Sequence, residues 1–371
     1  MTEAAASPPT RLIPLVEPWL GEDCAEAVRD QVLTSFVGPG AACKAFADGL
    51  ARLTGVLHCA LTTSGTVALS VAAHTLGLRA GDEILVPAYG VISTINAFAS
   101  MGLRPRLVDV DPRTGCIAAA EVERRLTSRT KAVCYVNFAG CTGTDLLEIA
   151  ELCETKNIPL IEDAAQAIGQ RHEGRSAGSF GRIGTLSFSP PKILTTGQGG
   201  AIFTADQRLA DEVAKYIDHG DLSWRQTNLN REIGTNLRFN DVLAALGLAQ
   251  LRTLDVRLAR KRELFDALRA RLNDKIFVIP GNEAPFYFIV FADDPDAVVA
   301  RLRSRAIMAQ RHGRALYEHP AYAELHEEDF PGAAYWTEHA VYLPFGLAMT
   351  VADAERIGTE VHSIGAILPR P

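Results

Sequence analysis

The sequence predicts an α/β protein: a large domain with a mostly parallel sheet flanked by helices, then a smaller C-terminal α+β domain. Three observations point there. Short apolar runs alternate with stretches of helical period over roughly the first 217 residues, which is the rhythm of a doubly wound sheet. These runs are apolar throughout, as strands buried on both faces are. A strongly helical stretch from Asp241 to about Leu272 separates this pattern from a second series of strands and helices. The organisation expected is a flexible tail over residues 1–10, a large domain over 11–245 and a small domain over 246–371.

Composition narrows the function. With 371 residues and 47% hydrophobic content the chain can bury a sizeable core, and its length favours two domains or one large one. A net charge of −7 without any Lys/Arg block makes nucleic acid and anionic membrane poor partners. The seven cysteines are scattered, odd in number and free of any CxxC pair, which argues against a zinc site or disulfide framework and for a reducing compartment. No apolar run approaches the ~20 residues needed to span a bilayer. The opening MTEAAASPPTR has neither the basic start nor the apolar core of a signal peptide, so a cytoplasmic enzyme is expected.

Taken in order, Ala25, Val28, Val32 and Leu33 mark a helix from about Glu22 to Leu33. A loop of Gly38, Pro39 and Gly40 precedes a second helix from about Ala41 to Leu53. Next, LHCALTTSGTVALSVAAHTLGL gives a strand, the turn Thr62-Thr63-Ser64-Gly65-Thr66, and a helix. Free N–H groups at such a helix start, with a glycine permitting close approach, suit a phosphate, although N-capping alone also explains the pattern. GDEILVPAYGVISTINAF is a strand ending at Pro87, then a loop carrying Tyr89 and Val91, then a helix. RPRLVDVD is a strand whose Asp109 and Asp111 fit Asp-Pro turn chemistry better than a metal pair, and no metal site is expected. A helix from about Ala118 to Leu126 leads into the buried strand KAVCYVNF.

The organising stretch is PLIEDAAQAIGQRHEGRSAGSFGRIGTLSFSPPKILTTGQGGAIF, residues 159–203. A short strand delivers Glu162 and Asp163 and is followed by AAQAIG, read as a small-residue helix. Asp163 then sits at a strand's carboxyl end, where open α/β sheets place ligands. A second strand, Gly184 to Phe188, delivers Lys192 on a Ser189-Pro190-Pro191 loop whose prolines restrict its root. Gly197, Gly199 and Gly200 allow tight backbone geometry beside it. A buried aspartate ahead of a lysine on a rigid loop meets the needs of pyridoxal phosphate: the amine bonds the aldehyde and the carboxylate keeps the ring nitrogen protonated. Each residue alone reads as readily as a surface lysine or a helix cap.

Beyond this stretch, Asp206 to Tyr216 reads as a helix and 219–240 as a polar loop. The helical pattern from 241 to 272 is long enough to call for a bend or break. PFYFIVF and VYLPF read as strands, and Asp296–Ser304 and Asp353–Ile364 as helices, the last entered at Thr350. The acidic HEED at 326–329 reads as a solvated face.

IEDAAQAIG, GSFG, LSFSPPK, TTGQGGAIF and SGTVAL together resemble the DegT/DnrJ/EryC1/StrS sugar aminotransferases, and the likeness extends over about residues 11–367. The resemblance implies the fold type I architecture of PLP-dependent transferases and pyridoxal 5′-phosphate as cofactor. It implies Lys192 as the Schiff-base lysine and proton shuttle, Asp163 on the pyridinium and Gln166 on the phenolic oxygen. Gly65, Thr66 and Ser187 would hold the phosphate together with Asn236 of a partner subunit, so that a homodimer shares its sites. Gly234, Asn236 and Arg238 match the family's Gly-x-Asn-x-Arg core. Val91 stands where the family usually carries a ring-stacking aromatic, with Tyr89 nearby as a candidate substrate contact. Asn137-Phe138-Ala139-Gly140 replaces the common His-x-Tyr-Gly. In HGRALYEHPAY, His312, Arg314, Tyr317 and His319 are candidate substrate contacts, with a solvated surface the equal alternative.

The activity that the resemblance implies is transfer of an amino group, with glutamate the expected donor, to a keto sugar, a nucleotide-linked keto-deoxyhexose, in amino-sugar biosynthesis. Alternatives are a ketocyclitol aminotransferase, a sugar dehydratase, or a non-catalytic regulatory protein on the same fold. The resembled dehydratase branch carries histidine where this chain has Lys192, and a regulatory protein has no need of the Lys192–Asp163 pair.

Overall fold

The structure, a computed structural model, describes residues 11–142, 144–278, 284–311, 313–365 and 367–369. The N-terminal segment expected to be a flexible tail and the candidate His312 lie outside the described residues.

Seven strands form the large sheet, and minor strands lie between them in the chain. The first five of all are β1 (His58–Thr62), β2 (Glu83–Pro87), β3 (Tyr89–Gly90), β4 (Arg104–Val108) and β5 (Thr130–Val136). Then come β6 (Leu160–Asp163), β7 (Arg171–His172), β8 (Arg175–Ser176), β9 (Ile183–Ser187) and β10 (Gly200–Thr204). The large sheet has the order β1-β10-β9-β6-β5-β2-β4. Only β10 runs against its neighbours, so the sheet is mixed but mostly parallel. Its inner strands are buried nearly throughout, which is why they read as apolar runs, whereas the edge strands β1 and β4 are buried only toward their carboxyl ends.

Helices α1 (Glu22–Leu33), α2 (Ala41–Thr54), α3 (Gly65–Thr75), α4 (Ile92–Ala99), α5 (Ala119–Arg125) and α6 (Thr144–Thr155) precede or alternate with these strands. After β10 come α7 (Gln207–Ile217), the single turn α8 (Trp224–Thr227), α9 (Asp241–Arg252) and α10 (Leu254–Leu272). The break expected in the long helical stretch falls at Thr253, whose φ of −110° and ψ of 17° leave the helical range. Its β-branched side chain is occupied locally, donating to the Gln250 carbonyl at 3.2 Å and accepting from Arg257 Nε at 3.3 Å.

The C-terminal part holds a three-stranded antiparallel sheet. Its strands are β11 (Phe288–Ala292), β13 (Ala340–Leu343) and β14 (Ile367–Leu368), ordered β13-β11-β14, with β12 (Arg314–Ala315) paired instead to β3. Helices α11 (Pro295–Ser304), α12 (Pro331–His339) and α13 (Val351–Ile364) accompany them. Thr350 caps α13 in a reciprocal capping box with Asp353, and α13 packs along α10.

Three expectations need correction. AAQAIG is not a helix but two successive turns, closed by Ala167 N–H to the Ala164 carbonyl and Gln170 N–H to the Ala167 carbonyl, both at 2.9 Å. Six residues nucleate a helix poorly, and Gln166 is drawn instead to the backbone N–H of Ala139 at 2.7 Å. The PFYFIVF strand begins only at Phe288, because the Phe286 N–H goes to the Ala139 carbonyl. Nor is the HEED segment simply solvated: Glu328 binds Arg124 at 2.5 Å and the buried Arg125 at 3.2 Å. The separation in sequence between those partners hid the pairing.

Candidate active site

Parallel neighbours β6 and β9 carry the two central residues. Asp163 ends β6, opposite Thr185, and β9 ends at Ser187, from which a turn closed by Lys192 N–H to the Ser189 carbonyl (3.0 Å) presents Lys192. Asp163 is buried, accepting from Thr94 Oγ1 at 2.8 Å and Ala165 N–H at 3.2 Å. Burial pushes its carboxyl up from the ordinary range, against those two bonds and the Lys192 charge. Lys192 is half-buried as a residue, but its amine is closely surrounded and lies 4.7 Å from the centre of the Phe286 ring. Desolvation lowers its pKa to about 8, with Asp163 opposing. An amine so placed is partly neutral near neutral pH, which is the nucleophilic form.

Beside this pair lies a cradle made by β1, α3 and β9. The Ser64 hydroxyl accepts from Val67 N–H at 3.1 Å and caps α3, leaving the first turn of the helix facing the strand ends. A Cβ on Gly65 would stand 2.6 Å from Ser187 Cβ, so only glycine lets the helix start approach β9 this closely. Gly65 and Ser187 are thus brought face to face, with Thr66 the next residue of the same helix turn.

The neighbouring floor is the turn 137–140. Asn137 is buried and donates to the Cys141 carbonyl at 2.9 Å. Ala139 takes a left-handed φ of 52°, an unusual posture for a residue with a Cβ, and its peptide groups engage both Gln166 and Phe286. Because the oxygen of Gln166 accepts that N–H, its amide nitrogen is the end left to donate toward an anionic atom.

Next to Val91, which precedes α4, lies a cavity of about 300 Å³ lined by Tyr89, Phe138, Tyr287, Arg311, Arg314 and His319, among others. Tyr89 is buried with its hydroxyl 2.8 Å from that of Tyr342, so it walls this cavity instead of reaching into solvent. Arg314 is exposed and pairs with Glu318 at 3.1 Å; Arg311 pairs with Asp296 at 3.0 Å. Tyr317 is stacked on His326 at 4.2 Å and is not among the residues that line the cavity. Asn236 is exposed in the polar loop after α7, its Oδ1 accepting from Arg238 Nε at 3.0 Å. Among the described residues its side chain bonds Arg238 and not the Gly65–Ser187 cradle.

Sequence reasoning missed Thr94, Phe286, Tyr287 and Arg311. None lies in a motif with its own chemical signal, and each is brought in by an element from elsewhere in the chain. Glu162 was recognised only as Asp163's neighbour. It accepts from the N–H groups of Gly178 and Phe180 at 2.8 Å each, tying the GSFG turn beneath β6.

Over residues 18–362 the chain matches the DegT/DnrJ/EryC1/StrS aminotransferase family, and it belongs to that family. It is 32% identical over 278 residues to the GDP-perosamine synthase of Escherichia coli O157:H7, covering 75% of this chain and 76% of that one. It is 32% identical over 295 residues to the L-glutamine:2-deoxy-scyllo-inosose aminotransferase of Streptoalloteichus tenebrarius, covering 76% and 69% respectively. Among solved structures it superposes on the aminotransferase TlmJ of Streptoalloteichus hindustanus with a TM-score of 0.88 at 31% identity, covering 95% of this chain and 98% of that one. Enzymes of this family are PLP-dependent aminotransferases, and this chain is one. Its residues fit the cofactor on their own geometry: a buried carboxylate, an amine of lowered pKa, and a glycine-lined helix start beside a serine hydroxyl.

Proposed function

We propose that the enzyme transfers an amino group, with glutamate as donor, to a keto sugar carried on a nucleotide. One observation carries this reading: Asp163 ends β6 and Lys192 follows the adjacent parallel strand β9, close enough for each to act on the other's charge, with the lysine's pKa lowered by burial to about 8. Bound pyridoxal phosphate supplies the electron sink that makes a substrate's Cα proton acidic. The Asp163 carboxylate holds a proton on the ring nitrogen, and Thr94 and Ala165 N–H keep that carboxylate aimed. Lys192 Nζ anchors the cofactor between turnovers and moves the Cα proton during them. Gln166 donates to the ring's anionic oxygen, while Gly65, Thr66 and Ser187 hold the phosphate. Val91 packs on the ring by dispersion alone. Tyr89 and Arg314 border the space for the sugar, with Arg311 and His319 beside them.

The phosphate site is completed by the partner subunit's Asn236 in a homodimer. Support comes from the exposure of Asn236 and of Leu222, Leu229 and Ile233 on the same loop, apolar side chains that a second copy would cover. The large, small and tail divisions at residues 10 and 245 belong to the same proposal. Among the described residues no helix is long and apolar enough to cross a membrane.

Borohydride reduction followed by peptide mapping tests the reading. The cofactor should be found on Lys192; a label on Lys44, Lys131 or Lys156, or none, overturns it. The aminated form of the enzyme, offered keto nucleotide sugars and keto cyclitols in parallel, should regain the aldehyde absorbance with a nucleotide sugar. Recovery with the cyclitols alone would move the substrate to the class named in the Streptoalloteichus tenebrarius relative.

A further inference from the structure

The loop that carries Lys192 is constrained unequally on its two sides. Before the lysine, Pro190 and Pro191 limit the backbone; after it, Gly197 and Gly199, with φ of 77° and 149°, loosen it. Between them Ile193, Leu194, Thr195 and Thr196 are buried, so their peptide groups need partners away from water. Some are local: Thr195 Oγ1 and Thr196 N–H both donate to the Phe188 carbonyl at 2.9 Å.

Others come from α9 and α10. Gln250 is fully buried; its Oε1 accepts from Thr195 N–H at 3.0 Å and its Nε2 donates to the Thr195 carbonyl at 2.6 Å. One side-chain amide therefore pairs with both backbone groups of a residue three positions from Lys192, as an adjacent strand would. The second hydrogen of Nε2 goes to the Leu246 carbonyl at 2.9 Å, which holds the amide in its own helix. Arg257, also buried, reaches the Ile193 carbonyl at 3.5 Å, a longer second tether.

We infer that Gln250 is the positioning residue for Lys192: its pairing with Thr195 fixes the root of the lysine on the side where glycines would otherwise let it drift. Gln250 acts through the backbone and not on the reacting atoms. An amide suits the task because it offers a donor and an acceptor in the geometry of a peptide group. A hydrophobic residue would leave two buried groups unpaired, and a carboxylate would face the Thr195 carbonyl with a like charge. The inference rests on Lys192 being the lysine that carries the cofactor.

The test compares wild-type holoenzyme with Gln250→Met, which keeps the side-chain length, and Gln250→Glu, which restores both bonds when protonated. Three quantities are read: the pH titration of the visible absorbance of the lysine-linked cofactor, the cofactor's release rate, and the single-turnover rate with glutamate. For Gln250→Met the absorbance titration should move by about one pH unit and cofactor release should quicken. Its maximal single-turnover rate should fall roughly 10²-fold while the half-saturating glutamate concentration stays within about threefold. Gln250→Glu should recover most of that loss at about pH 6, where a buried carboxyl is protonated, and lose it again as pH rises. A Gln250→Met enzyme whose titration and maximal rate match wild type overturns the inference, whatever its melting temperature. A Gln250→Glu enzyme as impaired as Gln250→Met at every pH also overturns it. Should Gln250→Met not fold, Gln250→Asn carries the same readouts and criteria, its amide held one methylene short of Thr195. Wild-type protein without cofactor on Lys192 defeats the functional reading; normal wild type with unaffected variants defeats the positioning role alone.

Discussion

The loop around Lys192 and the loop around Asn236 each carry a residue proposed to hold the cofactor, and they are built differently. The Lys192 loop is short, has a largely buried stretch beyond the lysine, and is stitched to Phe188 through Thr196 N–H and the Thr195 hydroxyl and to Gln250 through both peptide groups of Thr195. The Asn236 loop pairs by its backbone near its two ends, Thr235 N–H to the Tyr216 carbonyl at 2.8 Å and Leu237 N–H to the Ile217 carbonyl at 3.0 Å; the rest carries surface ion pairs, Arg225–Asp218 and Arg231–Asp221 at 2.8 Å, and leaves Ile233 95% exposed. Surface pairs of this kind contribute little and are screened by salt. The chain therefore encloses the first loop in its own interior, whereas the second keeps apolar side chains in the open, the ones that the proposed partner subunit would cover.

The largest effect expected is on the rigid side of this comparison. In Asp163→Ala the cofactor should still bond Lys192, but turnover should fall by on the order of 10³-fold or more, because a neutral pyridine ring is a poor electron sink. Steady-state kinetics with the absorbance spectrum of the same sample separates the two effects. Transamination close to wild type would mean that another carboxylate serves the ring.

A smaller effect is expected from the exposed loop. Asn236→Ala should weaken cofactor retention by roughly ten- to a hundred-fold, the cost of one hydrogen bond to a charged group, with the fold intact. Mixing it with Lys192→Ala subunits sharpens the contrast. If the asparagine serves the neighbouring site, one of the two sites in a mixed dimer carries neither defect and part of the activity returns. Activity that stays absent after proven subunit exchange would place Asn236 in its own chain's site and erase the distinction between the loops.

The smallest effect concerns stability without cofactor. A Lys192 pKa lowered to about 8 means that the folded chain gives up this proton at a lower pH than the unfolded chain does. Between there and the ordinary lysine value the unfolded chain binds more protons, so stability rises with pH across that window. Lys192→Met removes the buried amine, and the similarly buried Lys261 is common to both proteins and cancels. The variant should be the more stable of the two, by a margin that grows as pH falls toward 8 and then levels. Allowing for water in the half-open cleft, that margin is on the order of 2 kcal/mol, measured by denaturant unfolding at several pH values. A margin independent of pH would mean that the amine is solvated after all.

What the sequence determined by itself were the features with local causes. Strand runs, helix caps such as Thr350 with Asp353, the break in the long helical stretch and the glycine turns all follow from neighbours within a few residues. The Asp163–Lys192 pair was legible for a related reason: strand ends in an open parallel sheet converge, so two motifs at successive strand ends meet. Tertiary structure decided whatever needed distant partners. AAQAIG gave up its helix because Gln166 is held by Ala139; Glu328 is drawn into ion pairs because Arg124 and the buried Arg125 lie within reach. Tyr89 became a wall through Tyr342, and Thr94 came to Asp163 from the start of another helix. Gln250 shows the limit most clearly. In sequence it is one polar residue on a helix, and only packing places its amide against Thr195, because a hydrogen bond between residues 55 positions apart leaves no periodic trace in either segment.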